Sequence, residues 1–299
     1  MRTIPRLLAG LLVASMALAG CGSNSLDSGG GKKGSSATVT VDKAAAAMVP
    51  KSIKDAGTIT IGTDASYAPS EFLAGDGKTI EGFDVDLFKA VAQTLGLKAS
   101  FQNADFGSII AGVNSGKYDV GVSSFTINPD REKSVNMVSY FNAGTQWAAA
   151  KGNPKKVDPA KPCGLNVAVQ SNTVQQTDDL PPKEKACQAA GKPFKVDPYA
   201  KQDQATASVV SGKDDGMLAD SPVIAYAVKQ SGGKLESVGD IYDSAPYGYV
   251  VSKKQMDLAN AIAAALKVLK DNGNYLKTLK NWGVEQGAAS DSSVNPSVQ

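Results

Sequence analysis

Three hydroxyl side chains followed by an arginine form the stretch of this chain best suited to binding chemistry. Ser123, Ser124 and Thr126 come after the strand-like run 118–122, and Arg131 follows them. A guanidinium can bind both oxygens of a carboxylate, and hydroxyl and backbone N–H groups can complete that carboxylate's hydrogen bonds. These residue types therefore indicate a receptor for a small carboxylate.

The local sequence places Arg131 in the first turn of a helix. Asn128 has the side chain of a helix N-cap, and Pro129 suits the first helical position, where its missing N–H costs nothing. The helix dipole disfavours a cation in this turn, which suggests that an anion offsets the charge. The alternative is a solvated arginine paired with Asp130 or Glu132.

Polar and aromatic residues also follow other predicted strands, at the sheet edge where open α/β sheets bind ligands. They are Asp64 and Tyr67 after 58–62, Phe106 after 99–102, Ser171 and Thr173 after 165–169, and Asp220 after 216–219. Rings and opposite charges at one edge indicate a binding cleft. The alternative is that the Ser, Thr and Asp residues only cap helices, which also begin after strands.

Strand and helix patterns alternate along the chain, which predicts an α/β fold of parallel-type sheets covered by helices. The predicted strands are 58–62, 99–102, 118–123, 165–169, 194–196, 216–219 and 247–251. The predicted helices are 84–97, 108–114, 202–211, 256–270 and 275–281, with further helices beginning near Pro129, Thr173 and Pro222.

The N-terminus has the pattern of an export signal. Arg2 and Arg6 flank the start of the apolar run Leu7–Ala19, which is too short for a membrane-spanning helix of roughly 20 residues. The small residues before Cys21 resemble a bacterial lipobox, which implies a signal peptide over 1–20 and a lipid on Cys21. The alternative is an ordinary signal peptide with an incidental cysteine.

The segments outside the predicted core are small and polar. Residues 21–55 are predicted to form a flexible tether, since 22–36 is rich in Gly and Ser, and residues 288–299 a disordered tail. No other apolar run is long enough to cross a membrane. The sequence therefore predicts a folded extracytoplasmic part that is anchored to the membrane by its N-terminal lipid.

The composition excludes several function classes. The chain has 31 basic residues, 29 acidic residues and no histidine. It therefore lacks histidine acid–base catalysis and the commonest zinc ligand, and no basic patch is dense enough to predict nucleic-acid binding. We expect no metal, nucleotide or other cofactor.

Three cysteines are present, and the lipobox resemblance assigns Cys21 to lipid. In an oxidising compartment the remaining pair, Cys163 and Cys187, is expected to form one disulfide. Such a bond would stabilise the fold by roughly 3 kcal/mol if it is unstrained. The alternative is two buried thiols.

Five segments, in order, resemble the family 3 solute-binding proteins, the amino-acid receptors of ABC importers. They are Ile61–Pro69, Gly82–Leu95, Ser123–Arg131, Val167–Thr173 and Leu218–Pro222, and the likeness extends over residues 56–286. The resemblance implies the two-lobed fold of type II periplasmic binding proteins, with two hinge segments and a ligand cleft between the lobes. It also implies a lobe 1 of 56–144 plus 247–287 and a lobe 2 of 145–246.

The same resemblance implies roles for residues around a free amino acid. Arg131 would form a bidentate pair with the ligand α-carboxylate, for which its fork geometry suits it better than lysine. Ser124 and Thr126 would add hydrogen bonds from one lobe. Thr173 and the N–H of Val174 would add them from the other.

Asp220 would accept hydrogen bonds from the ligand α-ammonium group, again by resemblance. The alternative is that it caps the helix beginning at Pro222, although Ser221 is better placed for that. Tyr67 and Phe106 match the aromatic pair that sandwiches the ligand side chain in the family. Their alternative is ordinary packing in the core.

Asp64 matches a position that meets the distal polar end of the ligand in lysine/arginine/ornithine-, histidine- and glutamine-binding relatives. Together with two stacking rings it favours a cationic side chain, and Ser123 and Gln175 could add polar contacts. Ser70 and Asn172 depart from the family's usual Phe and Gly. Asparagine tolerates the left-handed turn expected at 172.

The resemblance implies a lipid-anchored, monomeric receptor that binds a polar, cationic L-amino acid of the lysine/arginine/ornithine/histidine class. It would deliver that amino acid to the membrane subunits of an ABC importer, and it would not be an enzyme. Three alternatives stay open: a receptor for glutamine or another neutral polar amino acid, a nutrient-sensor subunit, and a dehydratase-type enzyme on the same fold.

Overall fold

The computed structural model describes residues 39–298, so the predicted signal peptide 1–20 and the predicted lipidation at Cys21 lie outside the described residues. The strands are β1 Thr58–Thr63, β2 Ser66–Tyr67, β3 Glu71–Leu73, β4 Ile80–Glu81, β5 Lys98–Asn103, β6 Val120–Gly121, β7 Val135–Ala150, β8 Asn166–Gln170, β9 Lys195–Tyr199, β10 Gly216–Asp220 and β11 Leu235–Ser252. The α-helices are α1 Lys43–Ala47, α2 Lys51–Ala56, α3 Phe83–Thr94, α4 Phe106–Ser115, α5 Pro129–Ser134, α6 Leu180–Ala189, α7 Gln202–Val210, α8 Ser221–Gln230, α9 Met256–Asp271 and α10 Asn274–Trp282. A π-helix, Gln175–Asp179, precedes α6, and a 3-10 helix, Glu285–Gly287, follows α10.

The main sheet has eight strands in the order β5-β1-β6-β11-β7-β10-β8-β9. β1 pairs in parallel with β5 and β6, and β8 pairs in parallel with β9 and β10. Between these two groups, β11 and β7 run antiparallel to each other and to their outer neighbours β6 and β10. The sheet is therefore mixed, because two long strands join the two parallel groups, and of these the sequence pattern predicted only 247–251, the end of β11.

Each parallel group has its own apolar core and forms one lobe. In the first lobe, Phe88 of α3 and Leu266 of α9 are fully buried in one cluster with Ile61 of β1. In the second lobe, Ala205 of α7 and Met217 of β10 are fully buried in a separate cluster. The chain passes between the lobes within β7 and again within β11, which gives two connections. The residue boundaries predicted for the lobes stay predictions.

Residues 39–55, predicted to belong to a flexible tether, are folded onto the first lobe. Asp42 caps α1 by accepting a hydrogen bond from the Ala45 N–H at 2.8 Å. Ala45, Val49 and Ile53 are buried in the first-lobe core. The prediction was wrong because these three apolar residues, spaced by four along a small-residue stretch, form the buried stripe of a helical segment.

Residues 288–298, predicted to be a disordered tail, lie along β7. The Ser139 N–H donates to the Ser293 carbonyl at 3.0 Å, and the Met137 N–H donates to Asn295 Oδ1 at 2.9 Å. The prediction was wrong because backbone and amide hydrogen bonds, together with the packing of Val294 and Val298 on the core, hold this small and polar segment in place.

The disulfide expected from the cysteine count is present, and it joins Cys163 to Cys187. Cys187, on α6, is buried in the second lobe among Trp147, Val167 and Leu180. The bond therefore ties α6 to the loop before β8. Within residues 39–298, no helix combines the length and the apolar character that a membrane crossing requires.

Candidate functional site

All eleven residues predicted to contact a ligand line one cavity between the two lobes. They are Asp64, Tyr67, Phe106, Ser123, Ser124, Thr126, Arg131, Thr173, Val174, Gln175 and Asp220. Gln170, which was not predicted, completes the lining.

The topology explains why residues so distant in sequence meet. β1 and β6 are parallel neighbours, and they end just before Asp64 and Ser123. β8 and β10 are parallel neighbours in the other lobe, and they end at Gln170 and Asp220. The carboxyl ends of parallel neighbours lie at the same sheet edge, so each lobe presents its polar residues to one side of the cleft.

Arg131 is held at one end of the cavity by its helix and by two backbone carbonyls. Asn128 caps α5 as predicted, accepting from the Arg131 N–H at 2.9 Å. The guanidinium donates to the Thr126 carbonyl at 2.8 Å and, across the cleft, to the Asn172 carbonyl at 3.3 Å. The other three of its five N–H donors have no acceptor within the described part of the chain, so they are available to an anion.

The surroundings of Arg131 strengthen its attraction for an anion. Its guanidinium lies 5.5 Å from the ring centroids of Phe106 and Phe125, which stack with their centroids 4.6 Å apart. Burial lowers the pKa of Arg131 to about 10, and the Asp220 charge acts in the opposite direction. The side chain is therefore a cation at neutral pH, fixed beside apolar rings that exclude water.

Asp220 lies in the second lobe and its carboxylate is fixed by two donors. The Tyr67 hydroxyl of the first lobe donates to Oδ2 at 2.9 Å, and the Gln175 side-chain amide donates to Oδ1 at 2.8 Å. Burial raises the pKa of Asp220, while these hydrogen bonds and the Arg131 charge oppose that rise. This carboxylate is suited to a cationic partner.

The helix-cap alternative for Asp220 does not hold for its side chain. Asp220 occupies the N-cap position of α8, but its carboxylate makes no capping hydrogen bond. Ser221, the residue judged better placed to cap, is the first helical residue. The side chain of Asp220 is directed to Tyr67 and Gln175, so capping does not account for it.

Asp64 is buried at the far end of the cavity, where four groups donate to its carboxylate. The donors are Ser66 Oγ at 2.7 Å, the Phe106 N–H at 3.0 Å, Gln170 Nε2 at 3.2 Å and Lys201 Nζ at 3.3 Å. Burial raises the pKa of Asp64, and these hydrogen bonds together with the Lys201 charge act to lower it.

Ser123 and Ser124 hydrogen bond to two buried carboxyl groups behind the cavity, those of Glu71 and Asp84. Ser123 Oγ donates to Glu71 Oε1 at 2.9 Å and accepts from the Asp64 N–H at 3.1 Å. The Ser124 N–H and hydroxyl both donate to Asp84 Oδ2, at 3.1 and 3.3 Å. The donors of both hydroxyls are thus already used within the protein, and a ligand could reach only their remaining acceptor sites or the backbone carbonyls.

The second-lobe wall is formed by the turn after β8. Asn172 adopts the left-handed conformation expected there, with φ 67°. The Thr173 hydroxyl donates to the Gln170 carbonyl at 2.8 Å. Val174 lies at the N-terminal end of the π-helix, where backbone N–H groups lack helical acceptors. This turn can therefore donate backbone hydrogen bonds to an anion held by Arg131.

Gln170 and Lys201 were not predicted as site residues, and the sequence offered a signal for only the first of them. Gln170 is the last residue of β8, so the strand-end pattern could have included it. Lys201 follows β9, which was predicted as 194–196 but extends to Tyr199. A short, half-exposed edge strand gave no sign that the next loop reaches across the cleft.

Sequence comparison relates most of the chain to known proteins. The family model for bacterial extracellular solute-binding proteins, family 3, matches residues 59–285. The arginine-binding protein ArgT of Corynebacterium glutamicum is 39% identical over 250 residues, which is 83% of this chain and 82% of that protein.

Solved structures of amino-acid-binding proteins resemble the fold, and two of these proteins serve as examples. An ancestral arginine-binding protein, solved with arginine and with glutamine, gives a TM-score of 0.68 at 33% identity, covering 76% of this chain and 98% of that one. The ancestral amino acid-binding protein AncCDT-1, a precursor of cyclohexadienyl dehydratase, gives a TM-score of 0.68 at 34% identity, covering 77% and 97%.

Proposed function

Since this chain belongs to the bacterial extracellular solute-binding proteins of family 3, we propose that it captures a free L-amino acid, foremost L-arginine, and delivers it to an ABC importer. The observation that carries the proposal is the pair Arg131 and Asp220, which line one cavity from opposite lobes with opposite charges.

An α-amino acid carries a carboxylate and an ammonium group on adjacent atoms, and this cavity offers a partner for each. Arg131 would bind the carboxylate together with the N–H groups of the turn near Val174. Asp220 would bind the ammonium group. Each charge-assisted hydrogen bond contributes about 1.5–3 kcal/mol, and micromolar affinity requires about −8 kcal/mol. Both clusters together can reach that value after the costs of ordering.

Arginine is the leading ligand because of the far end of the cavity. Asp64 supplies a buried carboxylate there, and the Phe106 ring supplies a face for a guanidinium. ArgT of Corynebacterium glutamicum and the ancestral arginine-binding protein, both named for arginine, support this choice.

Glutamine is the second candidate, and one specific contact favours it. Lys201 already lies 3.3 Å from Asp64, so part of the negative charge at the far end is neutralised within the protein. A neutral amide could hydrogen bond there without a new ion pair. The ancestral arginine-binding protein has also been solved with glutamine.

A binding role fits this cleft better than catalysis. A dehydratase would need an acid or base that is free to exchange a proton with its substrate, and Asp64 is the carboxylate nearest to that role. Its four hydrogen-bond donors occupy the positions that a carboxylate offers. A sensor subunit would use the same lobes, and it would differ in the membrane partner that it contacts.

We also propose that the protein is a monomer, held at the extracytoplasmic surface of a membrane by lipid on Cys21. The support is the sequence around Cys21 and the extracellular character of the family. The polar stretch 22–36 separates Cys21 from the described residues, which begin at 39.

A thermal-shift screen of the mature protein against the twenty amino acids, ornithine and citrulline tests the proposed function. We expect arginine to give the largest rise in melting temperature and glutamine a smaller one. Calorimetry on the positive ligands then supplies dissociation constants. A screen in which no amino acid raises the melting temperature would overturn the proposal.

A further inference from the structure

Lys201 connects the two lobes at the far end of the cavity. It precedes α7 in the second lobe, whereas all three of its acceptors belong to the first lobe. They are Asp105 Oδ1 at 3.0 Å, Asp64 Oδ1 at 3.3 Å and the Ala104 carbonyl at 3.3 Å. An ammonium group has three N–H donors, so these three acceptors satisfy it fully.

The carboxylate of Asp64 is also fully satisfied. An ionised carboxylate accepts at about four lone-pair positions, and four groups already donate to this one. A guanidinium or ammonium group arriving on a ligand must therefore displace one donor. The Phe106 donor is a fixed backbone N–H, the Ser66 hydroxyl lies two residues from Asp64 on the same lobe, and Gln170 is buried at the end of β8.

Lys201 is the donor that can leave most easily. Its side chain is 25% exposed, and its second carboxylate partner, Asp105, is 75% exposed at the mouth of the cleft. The ammonium group could keep Asp105 and release Asp64, because a lysine stem is flexible. The hydrogen bonds and charges of Asp105 and Asp64 outweigh the effect of burial and raise the pKa of Lys201, so it stays a cation.

The charges of the cavity indicate which ligands this arrangement favours. Arg131 and Asp220 match the two charges of any amino acid. The opposite charges of Asp64 and Lys201 neutralise each other within the protein. A ligand with a neutral side chain leaves that balance intact, whereas a cationic side chain must compete with Lys201 for Asp64.

We infer that Lys201 is a specificity-determining residue. It competes with the distal cation of the ligand for Asp64, and it thereby reduces the factor by which the cleft prefers arginine over glutamine. The inference rests on the proposed function and deepens it. Lys201 acts through Asp64 and is therefore a positioning residue. Its removal leaves Asp64 with three donors and an open position for a guanidinium.

Calorimetry with arginine and with glutamine on Lys201→Met tests the inference. We expect the ratio of glutamine to arginine dissociation constants to rise about tenfold, the size of one charge-assisted hydrogen bond. Lys195→Met is the matched control, because Lys195 is a lysine on β9 that pairs with Asp197 at the surface. Its ratio should stay at the wild-type value.

Two further variants separate competition for Asp64 from a general structural effect. Lys201→Arg restores a cation, so its ratio should return toward the wild-type value. In an Asp64→Asn background, Lys201→Met should no longer change the ratio, because the group for which Lys201 competes is gone.

An unchanged ratio in Lys201→Met, including an equal loss of both affinities, would overturn the inference and leave the proposed function standing, since it would reduce Lys201 to a contact between the lobes. A fall in the ratio of glutamine to arginine dissociation constants would overturn it as well. Wild-type protein that binds neither amino acid would overturn the proposed function and the inference with it.

Discussion

The Tyr67 hydroxyl in the first lobe donates a hydrogen bond of 2.9 Å to Asp220 in the second lobe. The same oxygen accepts from the Asp220 N–H at 3.2 Å, so one phenol joins both the side chain and the backbone of that aspartate. The contact fixes the proposed ammonium site only when the lobes are together. Ligand affinity should therefore depend on a hydroxyl that need not touch the ligand's charged groups.

Tyr67→Phe keeps the ring and removes this hydroxyl. We expect about a tenfold loss of affinity for every amino acid that binds, since the lost hydrogen bond has a charged acceptor. Tyr199→Phe is the control, because its hydroxyl contacts Asp214 within the second lobe. Calorimetry measures both, and wild-type affinity in Tyr67→Phe would contradict the expectation.

Arg131→Lys keeps the charge but removes the planar fork. We expect a loss of roughly hundredfold in affinity for all amino acids, because a lysine cannot hold the Thr126 and Asn172 carbonyls and a carboxylate together. Lys133→Met, on the same helix and exposed, is the control. Circular dichroism should show an intact fold, and affinity within threefold of wild type would argue against Arg131 as the carboxylate site.

The buried pair Glu71 and Asp84 should make stability depend on pH. Burial and the neighbouring Asp84 charge raise the pKa of Glu71, and burial raises the pKa of Asp84 to about 6. Carboxyl groups with raised pKa values bind protons more tightly in the folded state, so their protonation stabilises the fold below the unfolded pKa values near 4. That stabilisation is lost as pH rises through about 6 and above.

Glu71→Gln should remove most of this dependence. The amide oxygen can still accept from Ser123, and the amide N–H can donate to Asp84 as a shared proton would. We expect the wild-type melting temperature to fall between pH 5 and 8, and the variant to be flatter and about 1–2 kcal/mol more stable at pH 8. Exposed Glu285→Gln is the control; a wild-type curve that rises with pH would contradict the reasoning.

Removing the disulfide should lower stability without changing binding. The bond joins residues 24 positions apart, and closing such a loop stabilises by about 3 kcal/mol through the unfolded chain. Cys163→Ser with Cys187→Ser should unfold at lower denaturant concentration and bind arginine with wild-type affinity, since neither cysteine lines the cavity. Unchanged stability would show that the bond constrains little.

Cys21→Ala should release the protein from the membrane. A lipid chain contributes about 0.8 kcal/mol for each buried CH₂ group, and no such chain can be attached to alanine. Detergent phase partition of intact cells should place the wild type with the membrane and the variant in the aqueous phase. An identical distribution of both would remove the lipid proposal.

The cleft was the part of the fold most open to prediction from sequence. Hydroxyl, acidic and aromatic residues after strands were visible because the strand-end rule is local, and Asn128 with Pro129 marked the start of α5 directly. Of the strands that join the lobes, only 247–251, the end of β11, was predicted, and β7 was not. Within β11, the register shifts at Val238, Tyr242 and Tyr247 interrupt the alternation that would have indicated one long strand.

Lys201 shows a second limit of local reasoning. Its neighbours in sequence give no sign of its partners, which lie 96 and 137 positions away at Asp105 and Asp64. A contact of this kind depends on how two lobes meet. The N-terminal helices were missed for a related reason, because α1 packs on α9 at the other end of the chain and α2 packs on β1.

The segment 288–298 has a further consequence for how molecules behave in concentrated solution. In the first lobe β7 pairs with β11 on one side, and this segment hydrogen bonds to it at Met137 and Ser139 on the other. A chain shortened before Ala288 would leave unpaired backbone groups along an apolar strand, and such an edge recruits strands from other molecules. Residues 288–298 therefore protect this strand from aggregation, and tags or truncations there should be chosen with that in mind.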